Sequence, residues 1–208
     1  MFTMESISEM YDRLGTKYLE DIENAAPPEV HAFMRLIPKG GSVLDVGCAG
    51  GRDSKIFVDN GFDLTGVDIS EVFLKEASKK IPEGKFLKAD VLELPFPDEF
   101  FDAVWANAIL LHVSKDDIPK ALQSVRRVLK REGKLHIRVK EGEGSKEIEE
   151  TLKNAGEVKR PFTLFQKEEL ERFVQDAGFT LLSSERLPDD MGRTDVTWLK
   201  IWAEKPAT

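Results

Sequence analysis

Apolar positions along this chain alternate between two regimes: short dense runs that suit a buried strand, and stretches where they recur every three or four residues. The dense runs are 42–46, 62–67, 85–89, 101–106 and 133–139. Helical spacing follows most of them, over 51–60, 70–80 and a segment near 116–129. The Asn60-Gly61 pair stops the first of these helices, and Ser70 caps the second with Glu71 placed to favour its amino end. Strands alternating with helices at this spacing predict a parallel sheet covered on both faces. Upstream, Ile7, Met10, Leu14 and Tyr18 mark an amphipathic helix within 5–20, and a second helix over 30–37 follows Pro27 and Pro28. Downstream, a helix over 166–177 leads into runs at 179–187 and 196–203 with only a turn-rich stretch between them. Those two strands therefore form an antiparallel hairpin at the sheet edge. The charged segment 141–150 reads as a solvated loop and helix start.

The chemistry concentrates where these strands end. From Val43 to Ser54 the sequence VLDVGCAGGRDS reads as a strand, a tight glycine turn and a helix start, with Asp53 and Ser54 in the first helical turn. Gly47, Gly50 and Gly51 give the backbone freedom where a ligand lies against the chain at the carboxyl end of a parallel strand. The next strand ends in Asp68, whose carboxylate suits both hydroxyls of a ribose, each charge-assisted bond being worth roughly 1.5 to 3 kcal/mol net. Ser70 is the better helix cap, which leaves Asp68 to a ligand. A third carboxylate, Asp90, follows the strand at 85–89. Singly, these features also suit a packed turn, a cap and a loop; three strand ends in register predict a nucleoside-bearing cofactor. A dinucleotide fingerprint read from Gly47 puts Ala49 and Arg52 where its second and third glycines belong, and so fits poorly.

Composition narrows the setting. At 208 residues the chain fits one domain, which buries about 70% of the surface of its unfolded form. A net charge of -8 opposes a polyanion, which argues against nucleic acid as partner. The single cysteine, Cys48, excludes an intrachain disulfide and a cysteine-based zinc cage and fits a reducing compartment. Residues 1–10 carry no apolar core and no run reaches the length of a membrane span, so the expectation is a cytoplasmic protein, monomer or homodimer, with no membrane partner. No zinc-ligand spacing appears and no serine or cysteine nucleophile has an evident base. The expectation is no metal, and chemistry supplied by a cofactor.

The order Asp45-x-Gly47-x-Ala49-x-Gly51 resembles the Asp-x-Gly-x-Gly-x-Gly signature of class I methyltransferases that use S-adenosyl-L-methionine, with Ala49 in place of the middle glycine. That departure argues for a backbone geometry there that tolerates a methyl group. Tyr11-Asp12, Trp105-Ala106, the run 110–113, the run 140–144 and the aromatic 161–165 look like a group of small bacterial methyltransferases related to the methyltransferase type 11 and tellurite-resistance-like enzymes. The resemblance spans about 11–205. It implies an α/β fold: a Rossmann-like seven-stranded, mostly parallel sheet with an antiparallel last strand and helices on both faces. It also implies one methyltransferase domain over 1–208, with a helical lid at 1–38, a cofactor-binding core at 39–140 and a substrate-side and β-hairpin region at 141–208.

For the site, the resemblance implies S-adenosyl-L-methionine as cofactor and S-adenosyl-L-homocysteine as product. Tyr11 and Tyr18 would cover the methionine end, and Asp45, Gly47, Cys48, Ala49 and Gly51 would form the turn against it. Asp68 and Ile69 would meet the ribose, Asp90 the adenine amino group, the Val91 amide a ring nitrogen, and Ala106 the cofactor from the fourth strand. The acceptor pocket would take Asn107, Leu111, His112, Lys140, Phe162 and Arg193, with Glu143 and Phe165 at the same rim. His112 is the candidate general base, against a plain packing role. Asn107-Ala-Ile-Leu110 lacks the prolines and aromatic of the Asn-Pro-Pro-Tyr motif, which argues against methylation of DNA amino groups. The function expected is methyl transfer to a small-molecule acceptor. The alternative is a noncatalytic module that binds S-adenosylmethionine or S-adenosylhomocysteine and acts through a protein partner. A closed, aromatic-lined cavity favours the enzyme and a filled one the module.

Overall fold

The structure, a computed structural model, describes residues 4–25, 27–189 and 192–208. Its first half runs α1 (Met4–Ile22), α2 (Val30–Met34), β1 (Ser42–Val46), α3 (Arg52–Asp59), β2 (Asp63–Asp68), α4 (Glu71–Lys80) and β3 (Lys85–Lys88). Its second half runs β4 (Phe101–Asn107), α5 (Ile118–Val128), β5 (Leu129–Lys140), β6 (Ser145–Leu152), β7 (Gly156–Thr163), α6 (Lys167–Asp176), β8 (Thr180–Pro188) and β9 (Thr197–Glu204). Seven strands form one sheet in the order β3-β2-β1-β4-β5-β9-β8. β3, β2, β1, β4 and β5 are parallel, and β9 runs antiparallel to both β5 and β8. The expected architecture is therefore present, edge hairpin included.

Period-two alternation explains the two-faced core. On β1, Val43 joins Leu64, Ala103 and Trp105 beneath α2 and α3, while its neighbour Leu44 joins Val104 and the apolar faces of α5 and α6 on the other side. The Ser70 cap read from the sequence is present, its Oγ accepting the Phe73 N–H at 3.2 Å, and the structure adds a reciprocal capping box of Gln166 and Glu169 at α6. α1 is bent at Gly15, which takes φ 56°.

One segment departs from the sequence reading. Residues 141–150 are not a solvated loop and helix start; β6 and β7 form a separate two-stranded antiparallel ribbon, pairing Ser145 with Thr163 through Leu152 with Gly156. Its odd-numbered β6 residues are exposed, while Ile148, Glu150 and Leu152 alternate inward, Ile148 paired with Arg160, Glu150 with Val158 and Leu152 with Gly156. Strand alternation is thus present, but hidden because two of the inward positions, Glu150 and Arg160, are charged and neutralise each other.

The turn after β1 carries the site. Gly47, Ala49 and Gly51 have φ of 74°, 46° and 80°, so left-handed backbone falls on alternate residues and accounts for the two-residue spacing of the motif. Ala49 therefore does not sit in a backbone region comfortable for a methyl group; it carries one in the left-handed region that favours glycine. At Gly51 a Cβ would stand 2.7 Å from Ile81 Cδ1 and 3.3 Å from Ala77 Cβ. Gly51→Ala is expected to destabilise the fold by about 1–3 kcal/mol, from left-handed strain and overpacking. Ala49→Gly is expected to be neutral or stabilising by less than about 1 kcal/mol, because it relieves strain at a cost in unfolded-chain entropy. Urea denaturation of both variants checks this; equal effects would contradict the backbone assignment.

Candidate active site

A cavity of about 1210 Å³, its open mouth included, lies at the carboxyl ends of β1, β2, β4 and β5. Its floor is the β1 turn with Asp45, Gly47, Cys48 and Ala49, flanked by Asp53 of α3 and by Asp68 and Ile69 at the end of β2. Ile7, Tyr11 and Tyr18 of α1 and Phe73 of α4 cover one end. Asn107, Ala108, Ile109, Leu111 and His112 line it beyond β4, and Arg138 and Lys140 at the end of β5. The β6–β7 ribbon adds Leu152, Arg160 and Phe162, and the β8–β9 hairpin adds Asp189, Arg193 and Trp198.

Most of the residues singled out in the sequence converge here. Tyr11, Tyr18, Asp45, Gly47, Cys48, Ala49, Asp68 and Ile69 line the cavity, as do Asn107, Leu111, His112, Lys140, Phe162 and Arg193. Gly51, Asp90, Val91 and Ala106 are not among its lining residues. Gly51 is the cap of α3, Val91 and Ala106 are buried in the core, and the Asp90 carboxylate accepts the Leu92 N–H at 2.9 Å. Glu143 accepts from Gln166 Nε2 at the surface, and Phe165 packs in the core against Phe173. Arg138, Arg160 and Trp198 were missed. Each lies on a strand whose alternation aims it at the cavity, but Arg160 sits on a ribbon whose inward charges mask its strand pattern, and which side of β5 and β9 meets the cavity depends on segments remote in sequence.

The two ends of the cavity have opposite electrostatic character. At the β1 end, burial and the neighbouring Asp53 charge push the Asp45 carboxyl up to about 8, with Ser54 Oγ donating to it at 2.6 Å. Burial also raises Asp53, but Arg52 at 2.6 Å, Trp105 Nε1 at 2.9 Å and Asn107 Nδ2 at 2.8 Å outweigh it and hold that carboxylate below its usual range. Asp68 accepts the N–H groups of Ala49 and Ser70, each at 2.9 Å, yet burial lifts it to about 6. Three buried carboxyls thus face one space with Arg52 as their near counter-charge, an environment that favours cations and hydroxyl donors and repels phosphate.

At the far end, Glu150 accepts from Lys140 at 3.1 Å, from Arg193 at 2.8 Å and from two nitrogens of Arg160. Arg160 also donates to Tyr18 Oη at 3.0 Å, linking ribbon to α1. A second link joins Asp21 of α1 to the ribbon turn, where its carboxylate accepts the N–H groups of Asn154 and Ala155. His112 Nδ1 faces the Pro161 carbonyl at 3.2 Å; a carbonyl only accepts, so Nδ1 carries the proton and Nε2 accepts from Tyr11 Oη at 2.8 Å. Burial, then the Arg160 charge, lowers His112 to about 3, so the ring is neutral. Among the described residues no group of three or more His, Cys, Asp or Glu is placed to hold a metal ion, and no helix is long and apolar enough to cross a membrane.

A sheet of this order, with a glycine turn after β1 and an acidic end to β2 facing one cavity, is what the resemblance to the class I methyltransferases implies. Sequence comparison agrees: residues 44–137 match the family model described as a methyltransferase domain. Demethylmenaquinone methyltransferase of Renibacterium salmoninarum is 31% identical over 139 residues, 64% of this chain and 58% of that protein, so the chain spans under two thirds of this relative's length. The 1,6-didemethyltoxoflavin-N1-methyltransferase of Burkholderia thailandensis, solved with S-adenosylhomocysteine, superposes with a TM-score of 0.77 at 24% identity over 98% of this chain and 87% of that one. The cyclase SpnF superposes with a TM-score of 0.77 at 18% identity over 100% of this chain and 98% of that one. At such identities these likenesses speak for the fold, and the cyclase shows that the fold alone does not name the reaction.

Asp45 gives the protein a pH signature. Between 3.8 and about 8 the folded chain holds a proton that the unfolded chain has lost, so this contribution to stability is full below 3.8 and declines as pH rises through 8. His112 acts in the opposite direction, but only between about 3 and 6.5, and Asp68 has finished near 6. From about pH 6.5 to pH 8, Asp45→Asn is therefore expected to flatten the fall of the melting temperature; parallel profiles for variant and wild type would contradict the assignment.

Proposed function

We propose that this chain binds S-adenosylmethionine against the β1 turn and transfers its methyl group to a small-molecule acceptor held at the β5 end of the same cavity. The observation that carries this reading is a single aromatic-lined cavity with an acidic end and a basic end. A filled site, as a noncatalytic binding module would have, is not what these residues form. The fit to the cofactor rests on charge. A ligand with an ammonium group, a sulfonium and ribose hydroxyls matches Asp45, Asp53 and Asp68, whereas the pyrophosphate of a dinucleotide would be repelled by the ionised carboxylates among them and would hold Asp45 in its neutral form.

When bound, S-adenosylmethionine supplies a methyl group already activated by the sulfonium charge, so the protein's work is positioning and exclusion of water. Asp68 spends lone pairs on the Ala49 and Ser70 amides and keeps capacity for a ribose hydroxyl. Tyr11 and Tyr18 roof the turn, held by His112 and Arg160. His112 serves first to fix Tyr11, and a role as base requires Tyr11 to yield Nε2. The Asp90 carboxylate and Val91 amide, which follow β3 in the chain, remain candidates for the adenine edge. The net charge of -8 and the single buried Cys48 support a reduced cytoplasmic protein, monomer or homodimer, acting on a small molecule rather than on nucleic acid.

Calorimetric titration with S-adenosylmethionine, S-adenosylhomocysteine and NAD tests this. The expected result is micromolar binding of the two sulfur nucleosides, none of NAD, and a loss of about tenfold to a hundredfold in Asp68→Ala. Asp68→Asn, which keeps a carbonyl for one backbone amide, separates lost binding from lost fold. NAD binding, or no nucleoside binding by the folded wild type, would overturn the reading.

A further inference from the structure

Lys140 ends β5 with its ammonium in the cavity wall, 5% exposed. Among the described residues its one hydrogen-bond acceptor is Glu150 Oε1, at 3.1 Å. Otherwise it faces rings: Nζ lies 4.1 Å from the centre of Phe162 and 5.9 Å from that of Trp198, both lining the cavity. An ammonium has three N–H donors, and ring faces satisfy them only weakly, so two donors of a buried cation lack an oxygen partner among the described residues. Glu150 is not itself on the cavity lining. Lys140, Arg160 and Arg193 stand between it and the space, and all three share its two oxygens. The lining carboxylate at this end, Asp189, is engaged by Arg193 and by Trp198 Nε1 at 2.9 Å. A cationic acceptor would enter against these charges with no uncommitted carboxylate among the described residues of the lining to meet it, whereas an anionic oxygen would complete the Lys140 donor set.

We infer that Lys140 is the specificity-determining residue for the acceptor: its ammonium anchors an anionic oxygen, a carboxylate or a ring-bound phenolate, of a planar molecule lying against Phe162 and Trp198. This rests on the proposed methyl transfer only in calling the ligand an acceptor; the anion site itself is independent of it. Arg160 and Arg193 add field without giving up Glu150.

The test is calorimetric, with matched probes that differ in charge: benzoate against benzamide, and para-nitrophenolate against nitrobenzene. Each is titrated into the protein alone and into protein saturated with S-adenosylhomocysteine. The expected result is that at least one anion binds on the order of tenfold or more tighter than its neutral partner, and the two arms tell carboxylate from phenolate. Lys140→Met is expected to abolish the difference and Lys140→Arg to keep most of it, with melting temperatures confirming the fold. Equal binding within both pairs, binding of neither pair, or discrimination that survives in folded Lys140→Met would overturn the assignment. Failure of S-adenosylhomocysteine to bind would instead strike the cofactor reading, and the titrations on the unloaded protein would still decide Lys140.

Discussion

The loop after β1 is held by the end of β2, and the rest of the site follows from that attachment. The N–H groups of Gly47 and Cys48 both donate to the Val67 carbonyl, at 2.8 and 3.0 Å, and the next amide, Ala49, donates to the Asp68 carboxylate at 2.9 Å. To aim three successive amides at one strand end the backbone must enter the left-handed region repeatedly, which explains both the glycines and their spacing. The same attachment draws Asp68 inside, beside Asp45 and Asp53, and crowds three carboxyls around one turn. Their mutual repulsion and loss of water make this end of the cavity receptive to positive charge.

Closure comes from two elements that are remote in sequence. α1 contributes Ile7, Tyr11 and Tyr18, and the β6–β7 ribbon contributes Leu152, Arg160 and Phe162. Arg160 joins them through Tyr18, and Asp21 joins them through the amides of the ribbon turn. Glu150 organises the opposite end, since one carboxylate receives Lys140, Arg160 and Arg193 and thereby fixes where three cations meet the cavity. Buried ion pairs of this kind contribute little net stability, so their worth lies in placing charge.

The alternation of strands and helices, the β8–β9 hairpin and the acidic turn were legible from local pattern, because dense apolar runs and a glycine turn express the same physics in sequence and in space; the order of the strands in the sheet was not, because it depends on pairing between distant segments. Val43 and Leu44 illustrate this: adjacent in the chain, they reach opposite cores solely by strand alternation. The ribbon escaped because its inward row contains Glu150 and Arg160, and a charged residue is read as solvated until its partner across the strand is known. Trp198 and Arg138 escaped for a related reason: β5 and β9 were recognised as strands, but which of their residues face the cavity depends on where neighbouring loops leave space. Ala49 shows the reverse difficulty, since the sequence names the residue and not the strain it bears.

What unites the fold, the turn and the proposed cofactor is a buried carboxyl, Asp45, kept neutral until a cation arrives. The most direct measurement is the heat of S-adenosylhomocysteine binding near pH 7 in buffers of differing ionisation enthalpy. Because burial and the Asp53 charge push Asp45 up to about 8, the ligand ammonium should ionise it, and the observed heat should vary with buffer in the sense of proton release. Buffer-independent heat, or proton uptake, would contradict the account.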